Sequence, residues 1–83
     1  MVLQLKYFAA LREELEIAAE AFETEAATVA ELLQTLRARG DRYAQVLRPD
    51  RPLRVAVNHT MAQSDTPIPA GAEVGIFPPV TGG

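Results

Sequence analysis

The sequence closes on Phe77-Pro78-Pro79-Val80-Thr81-Gly82-Gly83, and Glu73 is the last residue with an ionisable side chain. The one charge expected beyond it is the α-carboxylate of Gly83. A carboxylate is a chemical handle rather than a catalyst. It resists nucleophiles until one oxygen becomes part of a leaving group, for example by adenylation with ATP, after which the acyl group can pass to a thiol, an amine or a sulfide. Gly82 and Gly83 carry no Cβ, so the backbone there can thread a narrow channel. Pro78 and Pro79 fix φ, donate no ladder hydrogen bonds and hold the residue before each extended. A strand should therefore stop at Phe77, and residues 78–83 should leave the body as a stalk reaching at most roughly 20 Å, at about 3.3–3.6 Å per residue. Two glycines alone are as often a frayed end. The stiff, uncharged lead from Phe77 through Pro78, Pro79, Val80 and Thr81 is what distinguishes this one.

The rest of the chain must build a body that holds out this tail. Val2 to Phe8 alternates, with Leu3, Leu5 and Tyr7 on one face and Gln4, Lys6 and Phe8 on the other, which predicts a strand with one face in the core. Ala9 to Leu15 predicts one or two helical turns, and Ile17 to Thr24 a second strand returning beside the first, although alanine and glutamate are weak strand formers. Thr28 is a good N-cap with Glu31 three residues on, and Val29, Leu32, Leu33 and Leu36 keep helical spacing up to Gly40. The main helix is expected over residues 28–39. A further turn or two is expected within residues 41–48, carrying Tyr43, Val46 and Leu47 inward, until Pro49 and Pro52 break the chain.

Leu53 to Asn58 predicts a third strand with Val55 and Val57 facing the core. The turn at Asn58-His59-Thr60 leads into a short strand at Met61 to Gln63. Residues 64–70 read as loop, and Glu73 to Phe77 as the last strand, with Val74 and Ile76 inward. Strand, strand, long helix, strand, short strand, strand is the order of a β-grasp: an α+β, ubiquitin-like fold with a mixed sheet of four to five strands and one main helix across one face. Residues 1–77 form the domain and residues 78–83 the tail. The first and last strands should then lie parallel and adjacent, which makes Phe8 and Phe77 neighbours on the uncovered face at the root of the tail. An exposed apolar patch there is expected to meet a protein partner.

Composition removes several other functions. Hydrophobic residues make up 48% and charged residues 23% of the 83, which is globular rather than disordered. There is no cysteine, so disulfides, thiolate metal sites and cysteine catalysis are excluded, and any reactive sulfur must come from outside. No metal site is expected. The net charge is −3 with no cluster of basic residues, so no nucleic-acid partner is expected. No apolar run approaches a membrane span and no secretory leader is evident, which places the expected compartment in the cytoplasm and leaves the Asn58-His59-Thr60 sequon idle. His59, the only histidine, reads as solvated surface. Lys6 is the only lysine, which argues against chains built on the protein itself.

The sequence resembles the small subunits of molybdopterin synthase, sulfur carriers of molybdenum cofactor biosynthesis. The likeness covers nearly the whole chain. It lies in Tyr7-Phe8-Ala9-Ala10-Leu11-Arg12-Glu13, in Val55-Ala56-Val57-Asn58, and in Gly71-Ala72-Glu73-Val74 leading to the Phe77–Gly83 block. Related thiamine-type carriers share the Gly-Gly end but usually lack the Phe-Pro-Pro-Val-Thr lead. Two small departures are Ala72, where the family often has an acidic residue, and Glu14-Leu15-Glu16, where a glycine often closes the first helical turn.

The resemblance implies that a ubiquitin-activating-type adenylyltransferase primes Gly83 with ATP, giving a transient acyl-AMP, and that a sulfur donor converts it to a thiocarboxylate. The tail would then enter the large subunit of molybdopterin synthase, in a heterotetramer of two small and two large subunits, and give its sulfur to cyclic pyranopterin monophosphate. On that reading Gly83 carries the sulfur and Gly82 gives access. Phe8, Phe77, Pro78, Pro79, Val80 and Thr81 bind the partner. The chain itself binds no cofactor, and acid, base and phosphate-binding groups belong to the partner. A carrier for another, thiamine-type pathway, a ubiquitin-like modifier and a plain interaction domain are the alternatives.

Overall fold

The computed structural model describes residues 1–79. The elements in order are β1 (Val2–Tyr7), α1 (Ala9–Leu15), β2 (Ala19–Glu23), α2 (Val29–Arg37), α3 (Asp41–Val46), β3 (Arg54–Val57), β4 (Thr60–Ala62) and β5 (Glu73–Phe77). They form one five-stranded sheet in the order β2-β1-β5-β3-β4. Strands β1 and β5 run parallel at its centre, with Leu5 beside Val74 and Tyr7 beside Ile76, and the other neighbours are antiparallel. This is the β-grasp expected from the element order.

Alternation along the strands sorts the two faces. Leu3, Leu5, Tyr7, Val55, Val57, Val74 and Ile76 point to the helices and are buried, together with Leu11 and Leu15 of α1, Val29, Leu32 and Leu36 of α2, and Val46 and Leu47 at the end of α3. Burying each such side chain contributes roughly 1.5–3 kcal/mol. That burial lets a chain of this size hold one core. The opposite face of the sheet carries Gln4, Lys6, Phe8, Arg54 and Met61, and among the described residues no helix covers it.

Boundaries shift by a residue or two from the sequence-based expectation. β1 stops at Tyr7, α2 spans Val29–Arg37, and β4 begins at Thr60. Asn58 and His59 both take positive φ, 49° and 69°, which makes a two-residue hairpin turn whose backbone twist suits the flanking strands and lets Thr60 already pair with Val57. Thr28 does cap α2, its Oγ1 accepting from the Glu31 amide at 3.3 Å. The Glu31 carboxylate, however, accepts from the Thr28 hydroxyl rather than returning to its backbone. The segment expected as loop at residues 64–70 also feeds the core: Ile68 is buried, its amide donates to the Ala27 carbonyl at 2.9 Å, and Pro67 bridges to Thr28.

Candidate functional site: the sheet face at the root of the tail

β1 and β5 deliver Phe8 and Phe77 to the same end of the uncovered face. Phe8 follows the last residue of β1 in extended conformation, its amide donating to the Ile76 carbonyl at 3.1 Å, so the β1–β5 ladder continues one step past the strand. The two rings meet edge to face, centroids 6.0 Å apart at 83°, a favoured arrangement for aromatic pairs. Phe8 remains 44% exposed. Together with Ala9 and Pro78 the rings line an open groove of about 380 Å³. The two phenylalanines expected to be neighbours are therefore brought together, and Pro78 and Pro79 follow directly. Val80, Thr81, Gly82 and Gly83 lie outside the described residues.

Three contributors to this site were not singled out from sequence. Gly75 lies in the middle of β5, and a Cβ built there would stand 3.1 Å from Phe8 Cε2, so the bare backbone is the seat on which the ring lies. A glycine interrupting an apolar strand pattern is the signal that points to such a close approach. Ala9 takes φ +52°, a left-handed conformation that costs a non-glycine residue about 1–2 kcal/mol, at the bend where the chain turns from β1 into α1 past the groove. Arg54 stands directly opposite Phe77 in the β3–β5 register and so projects on the same face. No side-chain period announces it.

The groove is apolar, and three ionic groups of the same face, Lys6, His59 and Glu73, lie together. Lys6 Nζ lies 3.1 Å from Glu73 Oε1, and His59 Nε2 lies 3.2 Å from Glu73 Oε2, an ion pair when the imidazole is protonated. His59 is 80% exposed, in keeping with a surface role. Among the described residues no group of three or more His, Asp or Glu side chains could hold a metal ion, and no helix is long and apolar enough to cross a membrane.

A second cluster lies on the helical side, at the edge of the sheet. Glu20 of β2 accepts from Tyr7 Oη at 2.7 Å, from Arg39 at 2.8 Å and from Tyr43 Oη at 3.0 Å, while the Arg39 guanidinium stacks on Phe22 and Tyr43 at 4.7 and 4.4 Å from the ring centroids. Burial pushes the Glu20 carboxyl up, but the three hydrogen bonds and the arginine charge outweigh it and hold the group below the usual carboxylate range. Burial first, and then the bond to Glu20, push the Tyr7 phenol far up, so it stays a neutral donor. This cluster ties β2 to α2 and α3. It faces away from the groove and is structural.

The model of the ThiS family matches residues 5–83, through the whole tail. The chain belongs to the ThiS family. As a ThiS-family member it is 39% identical over 82 residues to the molybdopterin synthase sulfur carrier subunit of Escherichia coli (strain K12), covering 99% of this chain and 100% of the relative. It is 34% identical over the same length and coverage to the protein of that name from Haemophilus influenzae. The structure superposes on the crystal structure of SAMP1 from Haloferax volcanii with a TM-score of 0.81 at 26% identity, over 100% of both chains.

Proposed function

We propose that this protein is a sulfur carrier of molybdenum cofactor biosynthesis, the small subunit of a molybdopterin synthase, with Gly83 as the site of chemistry. The observation that carries the reading is the match to two curated carrier subunits over 82 residues, together with a family match that runs through the Phe-Pro-Pro-Val-Thr-Gly-Gly end. An adenylyltransferase of the ubiquitin-activating type joins the Gly83 carboxylate to the α-phosphorus of ATP and releases pyrophosphate. A sulfide equivalent from a sulfur donor then attacks the acyl carbon and expels AMP, leaving a thiocarboxylate. In the synthase the tail enters the large subunit, where the sulfur passes to cyclic pyranopterin monophosphate towards the dithiolene and the acyl group is recovered as a carboxylate by water. Gly82 allows the close approach, Pro78, Pro79, Val80 and Thr81 guide the tail, and Phe8 and Phe77 dock the body. The nucleotide is met only as acyl-AMP, and the compartment is the cytoplasm.

Intact mass spectrometry after incubation with the activating enzyme, ATP and a sulfur source tests this. The expected product gains the mass of one sulfur-for-oxygen exchange. A chain that never gains it overturns the carrier reading. The likeness to SAMP1, a small archaeal modifier protein, favours a second reading in which Gly83 is joined to lysines of target proteins. An isopeptide adduct in place of a free thiocarboxylate distinguishes it. A few residues appended after Gly83 abolish either activity but spare a plain interaction domain.

A further inference from the structure

The pairing of charges over the described surface is uneven. Lys6, Arg39, Arg42, Arg48 and Arg51 each lie against a carboxylate, and Arg37 donates to the Leu47 carbonyl. Among the described residues the two cations left without a partner are Arg12 and Arg54, and both flank the groove. Arg54 is the register partner of Phe77, which places their Cβ atoms about 4.5–5.5 Å apart on one face. Arg12 lies one helical turn along α1 from Ala9, a lining residue. Among the described residues the cation–π contacts are those of Arg39, so Arg54 does not stack on Phe77. Arg54 itself is exposed.

We infer that Arg54, seconded by Arg12, is a specificity-determining contact of the docking face, and that the partner it fits is a folded protein presenting an apolar side chain to the Phe8–Phe77 groove with a carboxylate beside it. This rests on the carrier reading, with the large subunit as the partner. Charge complementarity fixes the occupant. A chain of net charge −3 repels acidic surfaces as a whole, so a local pair of free cations at the docking rim selects an acidic rim on the partner and orients the encounter. The planar guanidinium fork suits a carboxylate in two-point contact, and the arginine stem can lie along the apolar floor while its head makes that contact. The other cations of this face, Lys6 and His59, are already taken up by Glu73 and add no competing field. Two separated cations around an apolar groove do not track a phosphate backbone, which needs a basic stripe. The partner is thus two-signed: acidic where Arg54 docks, basic where the Gly83 carboxylate arrives.

The test is the binding of the full chain to its large subunit, measured as association rate and Kd at low and high salt. The variants are Arg54→Glu, Arg54→Lys and Arg12→Glu, with Arg48→Glu as a control on the helical side. The expected result is roughly a 5- to 50-fold rise in Kd for Arg54→Glu, mostly in the association rate and with a flattened salt dependence, a smaller loss for Arg54→Lys, and no change for Arg48→Glu. Wild-type binding with the same affinity and salt dependence in Arg54→Glu and Arg12→Glu overturns this inference and leaves the carrier reading standing. Absence of wild-type binding overturns both. Self-association of the chain that Arg54→Glu abolishes would make the occupant a second copy and overturn the choice of partner.

Discussion

Phe8 offers the most direct measure of how much the uncovered face contributes to docking. A phenylalanine presents roughly 200 Å² in an extended chain, and with 44% of Phe8 exposed about 90 Å² remains for a partner to cover. At about 25 cal/mol per Å² that is roughly 2 kcal/mol, or about a 30-fold change in Kd. Its edge-to-face contact with Phe77, worth about 0.5–1.5 kcal/mol, is lost in the free and bound states alike and so bears on folding rather than docking. Phe8→Ser with Phe77→Ser should raise Kd for the large subunit by at least 30-fold, since Phe77 adds its own exposed edge. The fold should survive, because neither residue belongs to the buried core. Isothermal titration calorimetry at a temperature where circular dichroism shows both proteins folded reads the difference. An affinity within about 3-fold of wild type would refute the assignment of this face to docking.

Other perturbations separate the scaffold from the site. Glu20→Ala should destabilise the domain by about 2–3 kcal/mol, because it leaves the buried Tyr7 hydroxyl without an acceptor; urea denaturation measures it, and a loss below about 0.5 kcal/mol would show that water replaces the carboxylate. Since the folded state lowers the Glu20 carboxyl, that stabilisation is full above the unfolded carboxyl's range near 4.5 and is lost as pH falls through the folded value. Glu20→Gln should therefore flatten the acid limb of the stability curve, and an unchanged limb would assign the lowering elsewhere. Glu16, the left-handed residue closing α1 at φ 60°, should gain about 1 kcal/mol on replacement by glycine, its ion pair to Arg42 being exposed and worth little; a lower Tm would contradict this. Gly75→Leu should displace the Phe8 ring from its seat, raising Kd for the large subunit several-fold, and an unaltered Kd would mean the ring's position is immaterial.

What the sequence disclosed and what it withheld divide along physical lines. Periodic burial is written in side chains, so the leucines of α2 and the alternation of β1, β3 and β5 placed the core face and, with it, Phe8 and Phe77 on the other. Thr28 announced its helix by its own chemistry. Contacts that depend on register between distant strands left no such mark. Arg54 reaches Phe77 only because β3 pairs with β5 one way and not a step displaced, and Glu20 meets Tyr7, Arg39 and Tyr43 only after β2 returns beside β1 under the ends of α2 and α3. In the one-dimensional pattern Glu20 is a charged residue in a weak strand, with nothing to mark it as a partly buried acceptor. Ile68 looks like loop for a similar reason: one apolar residue between two prolines carries no period, yet its amide is claimed by Ala27 and its side chain is buried. Within Glu14-Leu15-Glu16, where the resemblance leads one to expect a glycine closing the first helical turn, the left-handed turn forms at Glu16 all the same, at φ 60°.

The position of the tail's root in the sheet bears on how carrier chemistry can coexist with so small a core. β5 is paired on both sides, by β1 and β3, and Val74 and Ile76 are fully buried, so the strand that leads to the tail is an inner strand of the sheet and not an edge. Opening its end requires breaking the central ladder, which costs a free energy near that of global unfolding rather than that of a fraying edge. Past Phe77 the prolines can join no ladder, and the residues beyond them carry no charged side chain that the fold would need. On the proposed carrier reading, chemistry at Gly83 would change the acyl group from carboxylate to adenylate to thiocarboxylate without altering the stability of the body, and the groove formed by Phe8, Phe77 and Pro78 would keep its shape for each enzyme that receives the tail. On this arrangement the charged and thiolated forms should dock through the same face, and what distinguishes one partner from another is read at the rim and in the cavity that takes the terminus.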